Sequence, residues 1–127
     1  MPTERDGYHK LRARRPDALF QRIENTVGTG VPDCFYVRAG NHAWIENKVG
    51  HYRSTLHKIV VPRSKLRKEQ HAWLTNYVQK GGTGLVSVWV PDALGVLFVL
   101  PFSTWLWHEL AEGIDYETLQ QLNVELP

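Results

Sequence analysis

The run Ala43-Trp44-Ile45-Glu46-Asn47-Lys48-Val49 sets a glutamate and a lysine two residues apart inside an apolar, β-prone segment. Alternate residues of a strand point to one face, so Glu46 and Lys48 share a face and Asn47 turns away. The apolar flanks Trp44, Ile45 and Val49 predict a largely buried strand, and buried charges are rarely tolerated without a partner or a metal. Any fold of this chain must therefore bring other groups to that pair. Thirteen residues before Glu46 stands Asp33, the end of Gly30-Val31-Pro32-Asp33. Pro32 stiffens the approach to a strand that starts at Asp33. If the two strands pair, Asp33 joins Glu46 and Lys48. Two carboxylates bind a divalent metal, and an ammonium beside them can orient or activate a water, which suits phosphodiester hydrolysis. Pro91-Asp92 repeats the dipeptide with no Glu-x-Lys after it. The pairing across one hairpin, not Pro-Asp alone, makes the first copy specific.

A length of 127 residues, 43% hydrophobic and 22% charged, predicts one ordinary globular domain with one core. No run approaches the length of a membrane span, and residues 1–15 lack an apolar signal core. Cys34 is the only cysteine, so no internal disulfide can form. A reducing compartment, the cytoplasm, is expected, with Cys34 a small buried core residue rather than a reactive thiol. The net charge of +2 hides an asymmetry: residues 1–80 hold all fifteen Lys and Arg against seven acids (+8), and residues 81–127 hold six acids and no Lys or Arg (−6). From Lys48 to Lys68 there are seven basic residues and no acid. Such a segment, here Arg53, Lys58, Arg63, Lys65, Arg67 and Lys68 beyond Lys48, is a footprint for a polyanion.

Residues 1–15 read as a basic arm. Pro16 to Val27 reads as a first helix, with Leu19, Phe20, Ile23 and Val27 as its stripe. Asp33–Arg38 and Ala43–Val49 are predicted strands joined by Ala39-Gly40-Asn41-His42. Ser64 is the expected cap of a second helix running to about Lys80, and Leu85–Val90 and Val96–Leu100 form a second hairpin. Two helices follow, Thr104–Ala111 capped by Ser103 and Tyr116–Leu122 capped by Asp115. The expected fold is α/β, a mixed sheet flanked by helices, in the order α-β-β-α-β-β-α-α. Residues 16–100 form the core and 101–127 a C-terminal helical extension.

Two further polar residues fall at suggestive places. Glu24, late in the predicted first helix, lies beside the buried stripe and can face the strands, or else pair with Arg22 or Arg38. Gln70 lies on the buried stripe of the second helix, four residues from Leu66 and from Leu74. A buried amide needs partners, either Lys48 or a metal-bound water, or merely a backbone group. His71 falls off the stripe of the second helix and is expected at the surface, and His9, His42, His51, His57 and His108 show no pairing at zinc-ligand spacing.

The blocks Arg22-Ile23-Glu24-Asn25, Gly28-Thr29-Gly30-Val31-Pro32-Asp33, Trp44-Ile45-Glu46-Asn47-Lys48 and Leu66-Arg67-Lys68-Glu69-Gln70 resemble, in that order, the PD-(D/E)XK nuclease superfamily, and most of all its compact VRR-NUC type, often found in phages. The resemblance spans roughly residues 16–100. It implies a restriction-endonuclease-like α-β-β-β-α-β core and Mg2+- or Mn2+-dependent cleavage of DNA, with no small-molecule cofactor. Asp33, Glu46 and the backbone carbonyl of Asn47 would hold the metal, and Lys48 would position or help deprotonate the attacking water. Glu24 would take the first-helix acid role and Gln70 the supporting role on the second helix. The family's strand between the first helix and the Pro-Asp strand has only residues 27–32 available, so it is expected to be very short or absent. Size favours a structure-selective enzyme for branched DNA, such as Holliday junctions, working as a homodimer. Trp105, Trp107, Leu110, Leu119 and Leu122 of the tail are expected either to cover the core or to form the dimer surface. The rival readings are a nucleic-acid-binding module with a vestigial site and a nuclease subunit of a larger assembly.

Overall fold

The structure, a computed structural model, describes residues 3–23, 30–92 and 95–127. Helix α1 (Glu4–Ala13) comes first, followed by β1 (Leu19–Arg22), β2 (Cys34–Arg38) and β3 (Asn41–Val49). A short hairpin, β4 (His51–Arg53) and β5 (Lys58–Val60), and a 3-10 turn (Arg63–Lys65) lead to α2 (Lys68–Gln79). Then come β6 (Gly84–Val90), β7 (Val96–Pro101), α3 (Thr104–Glu112), β8 (Ile114–Asp115) and α4 (Tyr116–Leu122). The main sheet has the order β1-β2-β3-β6-β7, and β4-β5-β8 form a second, small sheet. Only β3 and β6 run parallel in the main sheet, joined by the crossover that contains α2. Apart from the β4–β5 hairpin, α1, β1–β3, α2 and β6 follow the α-β-β-β-α-β order that the resemblance implies.

The start of the chain differs from the sequence reading. Residues 4–13 are a helix, not an arm. Thr3 and Asp6 form a reciprocal cap: Asp6 Oδ2 accepts the Thr3 N–H at 2.7 Å and Thr3 Oγ1 accepts the Asp6 N–H at 3.3 Å. The helix buries only Gly7, Tyr8 and Leu11, a stripe too sparse to stand out in periodicity. Residues 19–22, expected in a helix, are a strand paired antiparallel to β2 from Leu19–Val37 to Arg22–Cys34. Pairing to the sheet edge overrides the helical spacing of Leu19, Phe20 and Ile23. Phe20 turns inward onto the rings of Tyr8 and Tyr36, at 6.4 and 5.1 Å. The strand expected to be very short or absent is therefore present, upstream of the place assigned to it.

β2 and β3 turn through Ala39 and Gly40, both at positive φ (49° and 82°), the signature of a two-residue type I′ hairpin. The second helix begins at Lys68 rather than Ser64, because residues 63–65 tighten into the 3-10 turn. In the tail, Ser103 Oγ accepts the Leu106 N–H at 3.0 Å as expected, whereas Asp115 makes no side-chain cap bond.

Two apolar layers enclose the main sheet. On one face Val86, Val88, Val90, Phe98 and Leu100 pack under Leu74 of α2, Leu106 and Leu110 of α3 and Leu119 of α4. On the other, Tyr36, Ala43, Ile45, Leu85, Leu97 and Val99 pack under Tyr8 and Leu11 of α1. The tail thus covers the core: Trp107, Leu110 and Leu119 are buried, Leu122 packs against that layer, and Trp105 stays 52% exposed.

Candidate active site

The site forms where β2 and β3 part. Their ladder ends at the Cys34–Ile45 pair, so Asp33 stands just outside it, while β3 continues beside β6 as far as Val49–Trp89. The N–H groups of Trp44 and Gly50 bond to the carbonyls of Thr83 and Trp89. Even-numbered residues of β3 therefore turn their backbone to β6 and odd-numbered ones to β2. The Asn47 N–H points into the gap, where Asp33 Oδ2 accepts it at 3.0 Å. The carbonyl of a strand residue points to the same side as its N–H, which directs the Asn47 carbonyl there too. The Asn47 side chain lies on the α1 face, as alternation predicts, and its Oδ1 accepts the Ser87 hydroxyl at 2.6 Å.

Glu46 and Lys48 face α2 and are 1% and 2% exposed. An ammonium has three donors, and Lys48 Nζ has three oxygen partners: Glu46 Oε2 at 3.1 Å, Gln70 Oε1 at 3.0 Å and the backbone carbonyl of Lys65. The Trp107 ring lies 5.6 Å from Nζ, so α3 walls the site. Gln70 links the rest. Its amide NH2 donates to Glu46 Oε2 at 2.9 Å, and its Oε1 also accepts the Arg67 N–H at 3.2 Å, capping α2. Two of the three partners expected from sequence, Lys48 and a backbone group, are engaged at once. Gly30 fixes the loop before Asp33 against this helix. It has φ 81°, and a Cβ there would overlap the Glu69 carbonyl.

Burial pushes the Glu46 carboxyl up to about 8; Lys48 pulls it down and Asp33 pushes it further up. Glu46 Oε1 is buried and accepts no hydrogen bond among the described residues, and the Asp33 carboxyl lies within hydrogen-bond reach of the Glu46 carboxyl. A donorless carboxylate oxygen beside a second carboxylate and a backbone carbonyl fits a hard divalent cation such as Mg2+ or Mn2+. Among the described residues no three His, Cys, Asp or Glu side chains cluster for a metal. The available set is two carboxylates and a carbonyl, which suits an ion that keeps waters and takes substrate phosphate oxygens.

Glu4, at the start of α1, is a residue the sequence reading missed. It lines a cleft with Thr3, Arg5, Val49, His51 and Lys65. The residue as a whole is exposed, but its carboxyl is raised by burial, then lowered by Lys48, raised by Asp33, and lowered by Lys65 and Arg67. It therefore lies within the field of the site. The reciprocal Thr3–Asp6 cap is the signal that could have located its helix. Glu24 lies outside the described residues.

The basic segment divides. Lys65 lines the Glu4 cleft, and the Arg67 charge acts on the Glu4 carboxyl. Arg53 and Lys58 pair across the β4–β5 hairpin. Arg63 donates to Glu112 at 2.7 Å. Lys68 borders a groove between α2 and α3 with His71, Trp107 and His108. Cys34 is fully buried, and burial with the nearby Asp33 charge pushes its thiol up to about 12, as befits an inert core residue.

No protein-family profile and no curated protein matches the sequence. Among solved structures the chain is similar to the 1.6 Å structure of Archaeoglobus fulgidus Hjc, a Holliday junction resolvase from an archaeal hyperthermophile. The two are 19% identical with a TM-score of 0.53, over 96% of this chain and 92% of that one. At that identity the likeness concerns architecture, and it agrees with the topology described above: the chain has a restriction-endonuclease-like fold.

Proposed function

We propose that this chain is a divalent-metal-dependent DNA endonuclease of the PD-(D/E)XK type, selective for branched DNA such as four-way junctions. The observation that carries the reading is the buried Lys48 ammonium, held by Glu46 and Gln70 beside a gap faced by Asp33 and the Asn47 carbonyl. Asp33, Glu46 and the Asn47 carbonyl would hold Mg2+ or Mn2+. When bound, the ion supplies charge neutralisation at the scissile phosphate and a lowered pKa for water. Lys48 would position the attacking water with one N–H, taken from one of its three oxygen partners in the free site. Gln70 fixes the Lys48 and Glu46 rotamers from a helix start. Glu4 takes the first-helix acid role that the resemblance put on Glu24. Lys65 and Arg67 hold backbone phosphates beside the cleft, and Arg53, Lys58, Arg63 and Lys68 extend the contact.

Branch selectivity is supported by the shared fold with a Holliday junction resolvase. A homodimer is supported by one side of the sheet. Leu19 is 58% exposed there, and half-buried Phe35, Trp44, Trp73 and Tyr77 form a chain of rings 5.1–5.4 Å apart. Aromatic residues of this kind are enriched in interface cores. The VRR-NUC type and a phage source rest on the sequence resemblance alone. No helix among the described residues is long and apolar enough to cross a membrane, and a cytoplasmic DNA substrate is the proposed setting.

Lys48→Ala and Glu46→Ala test the assignment. Each is expected to lower metal-dependent cleavage by about 10²-fold or more, while DNA binding in a gel-shift assay persists. Full activity in both variants would contradict it.

A further inference from the structure

The proposed function gives the β4–β5 hairpin phosphate contacts through Arg53 and Lys58 and leaves its tip without a role. β4 and β5 form a hairpin directly beyond the strand that carries Glu46 and Lys48, joined by Ser54-Thr55-Leu56-His57. Its base adjoins the cleft, since His51 lines the same cavity as Glu4 and Lys65. Its tip carries Leu56, 59% exposed. Arg53, His57 and Lys58 flank that leucine in the sequence, with no acid between Asn47 and Glu69, and Asp115 of β8 stands opposite Lys58.

A single exposed leucine is ordinary. This one is braced. The Leu56 N–H bonds to the Arg53 carbonyl at 3.1 Å, and His57 turns the chain at φ 54°. The His57 carbonyl accepts the Tyr116 N–H at 3.0 Å, and the Tyr52 hydroxyl meets His57 Nδ1 at 3.0 Å. β5 is also paired to β8, from Lys58–Asp115 to Ile59–Ile114. The tip is thus a prong fixed to the start of α4. Leu56 lies eight positions after Lys48, at most about 29 Å of chain. That is less than one DNA turn of about 34 Å, so the prong and the site can touch the same helical turn.

We propose that this hairpin reads the branch point. Leu56 packs as an apolar wedge on a base pair that has lost its stacked neighbour, with Arg53 and Lys58 on the flanking phosphates. The inference rests on the nuclease reading and gives its branch selectivity a residue. An open base-pair face at a junction accepts an apolar side chain directly, whereas an intact duplex must first be unstacked. The neighbouring cations add affinity that does not distinguish the two. Loss of the leucine should therefore remove preference rather than binding.

The test compares wild type, Leu56→Ala, Leu56→Met and the Arg53→Ala/Lys58→Ala double variant. Each is measured on a four-way junction with 2-aminopurine at the crossover and on a linear duplex of matched sequence, by anisotropy, 2-aminopurine emission and cleavage with Mg2+. Leu56→Ala should keep the wild-type Tm and duplex affinity. Its junction-over-duplex preference should fall at least fivefold and its emission change should disappear, with Leu56→Met restoring both. The double variant should weaken binding to both DNAs alike. Unchanged preference and emission in Leu56→Ala, in a preparation whose wild type cuts DNA, would overturn the wedge and leave the nuclease reading standing. Weakened self-association of Leu56→Ala, with preference intact, would overturn it in favour of a protein contact. A wild type that neither binds nor cuts DNA would overturn both.

Discussion

At the residue scale, Glu46 concentrates the energetics of the site. Its carboxyl titrates near the ordinary 4.5 in the unfolded chain and near 8 in the folded one, raised chiefly by burial. Between those values the folded state keeps a proton that the unfolded state has lost. The stability this gives is full below about pH 4.5 and is lost as pH rises through about 8. In EDTA, the Tm of wild type should therefore fall relative to Glu46→Gln as pH is raised from 5 to 8, and Mn2+ at pH 8 should restore it in wild type alone. Parallel Tm profiles for the two proteins would refute this. Asp33, Glu46, Lys48 and Gln70 were legible in the sequence because each is a polar group in an apolar setting or at a turn, and the fold brings them together. Glu4 was not legible. Its helix shows an apolar face of only Gly7, Tyr8 and Leu11, so nothing in the hydrophobic spacing marks it.

At the scale of elements, strand periodicity was the reliable guide. β2, β3, β6 and β7 carry dense apolar runs and fall where expected, within one or two residues at their ends. The failure lies at β1. Leu19, Phe20 and Ile23 fit a helix by spacing, but the sheet edge offered by β2 takes the segment, and no local signal reports that distant edge. With the first helix at residues 4–13, the proposed reading puts the first-helix acid role on Glu4 in place of Glu24. Glu4→Gln should lower the single-turnover cleavage rate at least tenfold, with DNA affinity within about twofold, and should cost more rate than Glu24→Gln. A larger loss in Glu24→Gln would return the role to that residue. The loop before Asp33 is tested at the same scale. Gly30→Ala places a Cβ against the Glu69 carbonyl at a positive φ, and such strain typically costs about 1–3 kcal/mol. A lower Tm and weaker Mn2+ binding are expected, and an unchanged pair of values would remove Gly30 from the account.

Across the whole molecule, charge and apolar surface are sorted. The basic residues fall in the first two-thirds of the chain, with Lys65 at the cleft and Arg53 and Lys58 on the hairpin, while Arg15 pairs with Glu125, Arg38 with Asp17 and Arg63 with Glu112; the acidic tail folds over the core and contributes Trp107 beside Lys48. The tail had no legible motif because its role is packing, which is specified by shape rather than by spacing. The face bearing Leu19, Trp44, Trp73 and Tyr77 is the surface assigned to a second copy. Sedimentation at tens of micromolar should give a dimer for wild type and a monomer for Leu19→Glu/Tyr77→Glu. A monomeric wild type, or a double variant that stays dimeric, would contradict that assignment.

The most direct test of the account is cleavage of a matched set of four-way junction, flap, single-stranded and linear duplex DNA with Mg2+ or Mn2+, using Lys48→Ala as control. The account predicts nicking of the junction at paired positions across the crossover, at least tenfold faster than of linear duplex and absent from Lys48→Ala and in EDTA. Tight binding with no cleavage in either metal, or cleavage that Lys48→Ala retains in full, would contradict it.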